Sequence, residues 1–333
     1  KSMPRTFGIP HEQPVSFEPA RVTAVVCVYI PKFSGYFLER LSILEVCLES
    51  MRVNAGESID IMVTDNGSHP KVKLILEKMV TEGKIQHLIS HSQNLGKGRA
   101  LNMAFRAVRS EYIAYSDDDI LFFPNWLVDQ LKIHQSFPKV GIVGGQPVPD
   151  DIGHESGRRV AEQYSLKCEP YHLSEEQIRI WAKSIGYTLD QYLTRDVVQE
   201  RLKRLLLLES NGIKAVTGCA FYQGLLRRDF VDAMPPFREG VGVGSEDVEW
   251  RQEAEARGYL LLNTTRRVTH HLGNRVDEED QQLVASCGLQ IRGAPAWRKA
   301  LDMKEWEYRI RGMPGFDYVR SLVRLVIKRG SAP

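Results

Sequence analysis

Short runs of apolar, β-branched residues alternate along the first part of the chain with stretches whose apolar residues recur at helical spacing. Val22 to Ile30 predicts a first strand. Leu38, Leu41, Leu44, Val46, Leu48 and Met51 then mark a helix, and Ile59 to Val63 a second strand that ends in the turn-forming residues Asp65, Asn66, Gly67 and Ser68. A helix from Lys71 to Val80, a strand from Ile85 to Ser90 and a helix carrying Ala100, Leu101, Ala104, Phe105 and Val108 on one stripe continue the rhythm. Glu111 to Tyr115 closes the series as a strand that runs into Asp117, Asp118 and Asp119. Strands alternating with helices predict an α/β fold with a Rossmann-like, mostly parallel central sheet flanked by helices.

The rhythm changes between residues 146 and 212. Polar helices are predicted there, with capping boxes at Ser174 and Gln177 and at Thr188 and Gln191, and an apolar stripe through Val197, Leu202, Leu205 and Leu206. This stretch reads as a helical insertion. Strand and helix texture returns over 213–275, with a Gly-rich loop from Gly240 to Gly244, a helix from Glu246 to Arg257 and a strand through Tyr259 to Leu262. The expected organisation is thus an N-terminal arm (1–20), one α/β domain (21–275) built from 21–145 and 213–275 around the insertion, and a helical C-terminal extension (276–333). Tyr318 to Arg329 interleaves Val319, Leu322, Val323, Val326 and Ile327 with Arg320, Arg324, Lys328 and Arg329, a basic amphipathic helix.

Composition narrows the functional classes. Among 333 residues, 44 Lys and Arg nearly balance 42 Asp and Glu, which argues against a chain whose affinity comes from neutralising nucleic-acid phosphates. The longest apolar runs fall short of the roughly 18 to 20 residues needed to span a bilayer. Five scattered Cys with no Cys-x-x-Cys pair suggest neither a disulfide framework nor a thiolate zinc site, and a cytoplasmic setting is the expectation. The arm has no continuous apolar segment of the kind a signal peptide needs.

The candidate chemistry lies at predicted strand ends, where open α/β sheets bind ligands. Three adjacent carboxylates at Asp117, Asp118 and Asp119 repel one another and need a cation or several donors. On an extended or turning backbone Asp117 and Asp119 point the same way, Asp118 the opposite way, and the pair could share a Mg²⁺ or Mn²⁺ whose open positions a diphosphate fills. A solvated acidic turn is the plainer alternative. Asp65 either caps a β-turn or offers its carboxylate to a base or ribose. Gly96, Lys97, Gly98 and Arg99 lack the spacing of a P-loop, yet a Gly-rich helix start with Lys97 and Arg99 suits an anion as well as it suits solvent. Glu246 and Asp247 follow Ser245 at a helix start, as capping acids or with one of them a general base. His270 and His271 follow a strand-like run and are either structural or a completion of a metal site.

Taken in order, these residues resemble the inverting GT-A glycosyltransferases of family 2. The resemblance rests on the first strand Val25 to Tyr29, the Asp65–Ser68 turn, Asn94-Leu95-Gly96 followed by Arg99-Ala100-Leu101-Asn102, the Asp117–Asp119 triplet, Gly218, Ser245-Glu246-Asp247 and His270-His271. It implies that Asp65 contacts the base of a nucleotide-sugar, with Asn94, Gly96, Lys97 and Arg99 on the donor side. It also implies that Asp119 binds Mn²⁺ or Mg²⁺ bridging the diphosphate, with Asp117 and Asp118 nearby, and that Asp247 deprotonates the acceptor. One histidine would help hold the metal, His270 being taken ahead of His271. Val28-Tyr29-Ile30-Pro31-Lys32 departs from the Pro-x-Tyr/Phe-Asn turn common at that point in the family.

The expected activity is therefore transfer of a sugar from a UDP- or GDP-sugar to a hydroxyl of a glycan, a lipid-linked glycan or a small molecule. The insertion and tail would shape the acceptor site or a homo-oligomer interface, and the basic tail helix would meet the inner face of a membrane. Two rivals are a sugar-nucleotide nucleotidyltransferase, which would need a Gly-rich first strand–helix loop where Pro31 to Tyr36 has one Gly, and a non-catalytic nucleotide-sugar-binding module, which would lack base or metal ligands.

Overall fold

The computed structural model describes residues 18–240 and 245–291. The predicted helix at Tyr318 to Arg329 and the loop at 241–244 lie outside them. The first βα repeats appear as β1 (Val22–Val28), α1 (Arg40–Val53), β2 (Asp60–Asp65), α2 (Pro70–Thr81), β3 (His87–Ser90), α3 (Lys97–Ala107) and β4 (Tyr112–Asp117). They are followed by β5 (Ile120–Phe122), α4 (Trp126–Ser136) and β6 (Val140–Gly144). Next come α5 (His154–Gln163), β7 (Lys167–Pro170), α6 (Glu175–Ser184), α7 (Leu189–Leu193), α8 (Asp196–Leu202) and β8 (Leu206–Ser210). The remainder is β9 (Ile213–Thr217), β10 (Gln223–Arg227), α9 (Arg228–Ala233), α10 (Ser245–Ala256), β11 (Leu260–Thr264), β12 (Thr269–His271) and α11 (Glu278–Ser286).

Ten strands form one sheet in the order β3-β2-β1-β4-β10-β6-β11-β9-β8-β7, while β12 and β5 form a separate ribbon. The pairings β3–β2, β2–β1, β1–β4 and β6–β11 are parallel. Beyond β4 the sheet is mixed, since β10 runs antiparallel between β4 and β6, and β9, β8 and β7 add antiparallel pairs at one edge. The continuous parallel run expected from the sequence is thus confined to β3-β2-β1-β4, with β6–β11 one further parallel pair. The insertion departs likewise: both predicted capping boxes form, at α6 and α7, but the helical stripe stops at Leu202 and the leucines from Leu206 onward become β8. Leu206 and Leu208 are buried in the core formed with Val143, Ala215 and Leu262, and Leu207 is less covered. Burying alternate leucines of that run against a neighbouring strand removes more apolar surface than one further exposed helical turn would.

Two cores sandwich the sheet. Val22, Ala24, Val26 and Val28 of β1 pack with Leu41, Leu44 and Leu48 of α1, Val72 and Leu76 of α2, and Trp126 of α4. Val25, on the opposite face, packs with Leu101, Ala104 and Phe105 of α3, Phe230 of α9 and Trp250 of α10. Period-two alternation in β1 therefore assigns one helix layer to each face. The consequence for the site is set by register: Val28 pairs with Asp65 and Cys27 with Asp117. The two acids flank the carboxyl end of β1, two strand spacings or roughly 10 Å apart.

Candidate active site

Asp117 ends β4, and the chain turns through Asp118 and Asp119 into β5. Lys97, the first residue of α3, places Nζ 2.8 Å from Asp117 Oδ1, and the Tyr115 hydroxyl donates to the same oxygen. Burial lowers the affinity of Lys97 for its proton, but Asp117 and Tyr115 outweigh it and hold the ammonium well above its ordinary range. Asp118 and Asp119 are both buried and share Arg40, from the first turn of α1. Its Nη2 pairs with Asp118, and its Nη1 lies 2.5 Å from Asp119 Oδ2 and 3.2 Å from the Gly273 carbonyl. This corrects the expected pairing of Asp117 with Asp119. Alternation ends with β4, so Asp119 groups with Asp118 around one guanidinium while Asp117 goes to Lys97.

The histidines divide. In the β12–β5 ribbon His271 pairs with Ile120, and successive side chains leave opposite faces. His271 Nε2 lies 3.3 Å from Asp119 Oδ2, and its Nδ1 lies 3.1 Å from the Ser184 carbonyl, which accepts a hydrogen bond from Nδ1–H. Burial acts to lower the His271 pKa, but Asp119 raises it further, for a net upward shift. His270 points instead to Asp280, with Nε2 at 3.2 Å from Oδ1, and burial holds it below its ordinary pKa. The geometry therefore sets His271 beside Asp119 and gives His270 to the junction with α11, the reverse of the order expected.

Asp119 Oδ1 and Asp118 Oδ2 are buried without a hydrogen-bond partner. Leaving carboxylate oxygens so is costly unless something binds them. Burial raises Asp118, which Arg40 opposes; on Asp119 burial acts upward too, but His271 and Arg40 win and hold it well below the usual carboxylate range. Among the described residues no three His, Cys, Asp or Glu side chains are arranged to hold a metal alone. A divalent cation still fits. Mg²⁺-type sites commonly use one or two carboxylates plus substrate phosphates, and a ligating imidazole commonly donates its other nitrogen to a carbonyl, as His271 does to Ser184. The bare oxygens of Asp119 and Asp118, with His271, are the residues that would hold such an ion.

On the other flank of β1, Asp65 is 1% exposed. Its Oδ1 accepts from the Ser68 amide at 2.9 Å and its Oδ2 from the Ser90 hydroxyl at 3.3 Å, so the carboxylate serves the turn. Gly67, at φ +79, lets this turn meet the loop before α3, since a Cβ there would lie 2.4 Å from the Gln93 carbonyl carbon. Asn66 accepts from the Leu95 amide and donates to Asn94 Oδ1, which in turn accepts from the Gly96 amide. Asn94 and Gly96 thus shape the start of α3 and aim Lys97 at Asp117. Arg99 sits on the exposed side, 3.7 Å from Glu239.

Asp247 lies in the first turn of α10, and its Oδ2 is 3.7 Å from Arg251 Nε. Arg251 is buried and pairs with buried Asp150 at 2.5 Å; Asp150 also accepts from the Cys219 amide. The side chains of Ser245 and Glu246 lie outside the described residues. Phe221 connects the two clusters. It stacks on Tyr115 with centroids 4.5 Å apart and meets Trp250 of α10 at 5.5 Å, so the helix bearing Asp247 packs on the support of Asp117. Beside Asp119 and His271 opens a cleft of about 580 Å³, walled also by Tyr36, Lys183 and Asn274.

Arg40, Asp150 and Lys183 went unrecognised in the sequence. Arg40 and Lys183 stand at a helix start and a helix end, where charged residues are ordinarily solvated. Only the partner across the fold reveals each role.

The molecule is an α/β protein with an acidic, cation-lined site at the carboxyl ends of its parallel strands. The glycosyl transferase family 2 model matches residues 36–200 of this chain, just under half of its length. The chain's large sheet with helices on both faces is the architecture the resemblance implied. The chain is 26% identical over 133 residues to the putative glycosyltransferase EpsH of Bacillus subtilis, covering 39% of this chain and 38% of that protein. It is 29% identical over 109 residues to an uncharacterized glycosyltransferase of Rickettsia bellii, covering 33% and 15%. The matches therefore span well under half the length of these curated relatives. Among solved structures, the mannosyltransferase PcManGT from Pyrobaculum calidifontis in complex with GDP-Man and Mn²⁺ aligns with TM-score 0.43 at 16% identity, over 75% of this chain and 55% of that one. S. aureus TarS 1-349 aligns with TM-score 0.45 at 14% identity, over 89% and 74%. No helix among the described residues is long and apolar enough to cross a membrane.

Proposed function

We propose that this chain transfers a glycosyl group from a nucleoside-diphosphate sugar to an acceptor hydroxyl, with inversion at the anomeric carbon. The observation that carries the reading is Asp119, which lines a cleft on the strand-end rim: its Oδ2 meets Arg40 and His271, while its buried Oδ1 has no protein partner. A bound Mn²⁺ or Mg²⁺ would supply charge stabilisation to a departing diphosphate. The protein's residues do the rest. Asp119, Asp118 and His271 would hold the ion, Lys97 would offer a positive charge from its place on Asp117, and Asp65 and the Asn66–Asn94 pair would form the floor for the nucleoside.

Asp247 is assigned the acceptor's proton. A sugar hydroxyl is a poor nucleophile near neutral pH, and a carboxylate that takes its proton as the new bond forms lowers the barrier. Arg251, fixed by Asp150, lies 3.7 Å from that carboxylate and orients it. Donor and acceptor enter from opposite sides of the reacting carbon, so attack opposes departure and inverts it. The test is Asp247→Asn assayed with a panel of UDP- and GDP-sugars. Transfer should fall by about 10²-fold or more, in keeping with loss of a general base, while donor affinity stays within about twofold. Undiminished transfer removes Asp247 from this role.

A further inference from the structure

The acids of the site are already partnered before any ligand arrives. Lys97 takes Asp117, Arg40 takes Asp118 and Asp119 together, and His271 adds a second contact to Asp119. Arg40 cannot easily swing away: it is buried, bonded to the Gly273 carbonyl and set near the Tyr36 ring. What remains is unusual. Two carboxylate oxygens, Asp118 Oδ2 and Asp119 Oδ1, are buried and unpaired, yet the charge around them is close to balanced. Free lone pairs favour a cation; the neighbouring guanidinium repels one.

We propose that Arg40 is a built-in counter-ion that makes divalent-cation binding conditional on a diphosphate, so that the cation and the nucleotide bind as a pair. A lone Mn²⁺ would have to shed water and meet Arg40 within a few ångströms, at an energy cost that Coulomb's law makes several-fold larger here than in bulk water. Among the described residues no three His, Cys, Asp or Glu side chains are grouped so as to hold the ion without a further ligand. A diphosphate supplies both the missing oxygens and the missing negative charge. This inference rests on the donor reading above and adds to it a role for Arg40.

The experiment measures free Mn²⁺ by its electron paramagnetic resonance signal during titration of the metal-free full chain, with no nucleotide, with UDP and with GDP. The unaltered protein should bind Mn²⁺ weakly alone, and on the order of tenfold or more tightly with one of the two nucleotides. In Arg40→Gln, nucleotide-free affinity should rise by a similar factor and the coupling should shrink; Arg40→Lys, which keeps the charge, should behave as the unaltered protein does. An Arg40→Gln protein that folds, with unchanged or weaker nucleotide-free affinity and intact coupling, overturns the proposal. If Arg40→Gln does not fold, Asp118→Asn decides. Removing one carboxylate leaves Arg40 in excess, so Mn²⁺ alone should bind still more weakly and coupling should grow; unchanged values overturn it. Should neither nucleotide strengthen Mn²⁺ binding to the unaltered protein, the donor reading itself fails, a result distinct from a failure confined to Arg40.

Discussion

Asp150→Ala isolates the part of the structure that holds α10, and with it Asp247, against the sheet. The Asp150 and Arg251 side chains are 6% and 7% exposed, so their 2.5 Å ion pair receives little help from solvent. Removing one member of a buried pair typically costs about 3–5 kcal/mol, because the other charge stays buried. Here the lower end applies. Arg251 keeps Asp247 at 3.7 Å as a partial substitute, although the Cys219 and Ile152 amides lose their acceptor. About 3 kcal/mol corresponds to a fall in melting temperature of roughly 6–12 °C for a domain of this size class. The assay is urea unfolding followed by far-UV circular dichroism, run beside the double variant Asp150→Leu/Arg251→Met. That double variant removes both charges at once and should recover most of the loss. A single variant within about 0.5 kcal/mol of the unaltered protein, or a double variant as unstable as the single, refutes the reasoning.

Other outcomes follow from the same structure. Gly67→Ala should destabilise by about 1–3 kcal/mol and weaken nucleotide binding, because a Cβ at φ +79 collides with the Gln93 backbone; thermal melts with and without nucleotide check both effects. His134 is buried with Nε2 2.8 Å from the Leu225 carbonyl, its Nδ1 has no partner, and burial pushes its pKa down to about 4. The unfolded chain therefore takes up this proton more readily, so the stability His134 contributes is present above about pH 6.5 and is lost as pH falls toward 4, by up to about 3 kcal/mol. His134→Gln should flatten that limb in denaturant titrations between pH 4 and 7. An unaltered slope would assign it to other groups.

Much of this was readable in the chain itself, because the α/β rhythm depends on local periodicity. The boundaries of β2, α2 and β4 fall within a few residues of those the apolar pattern predicts, and Asp65 and Asp117 lie at strand ends for that reason. What periodicity could not supply is partnership between distant elements. Arg40 opens a helix that reads as an ordinary amphipathic one, and nothing near it in sequence announces Asp118 and Asp119, 78 and 79 positions away. The choice between His270 and His271 depends on the register of β12 against β5, a three-residue pairing with no sequence marker. The leucines from Leu205 to Leu208 suit a helix or a strand equally, and only β9 alongside them settles the matter.

The most direct test of the account is the thermal stability of the chain with UDP and with GDP, each with and without Mn²⁺, in the unaltered protein and in Asp119→Asn. A ligand at a hundred times its dissociation constant stabilises by about 2.7 kcal/mol, enough to move the melting temperature by several degrees. The account predicts that one nucleotide raises it only when Mn²⁺ is present, and that Asp119→Asn abolishes the rise. Equal stabilisation without the metal, or in Asp119→Asn, would contradict it.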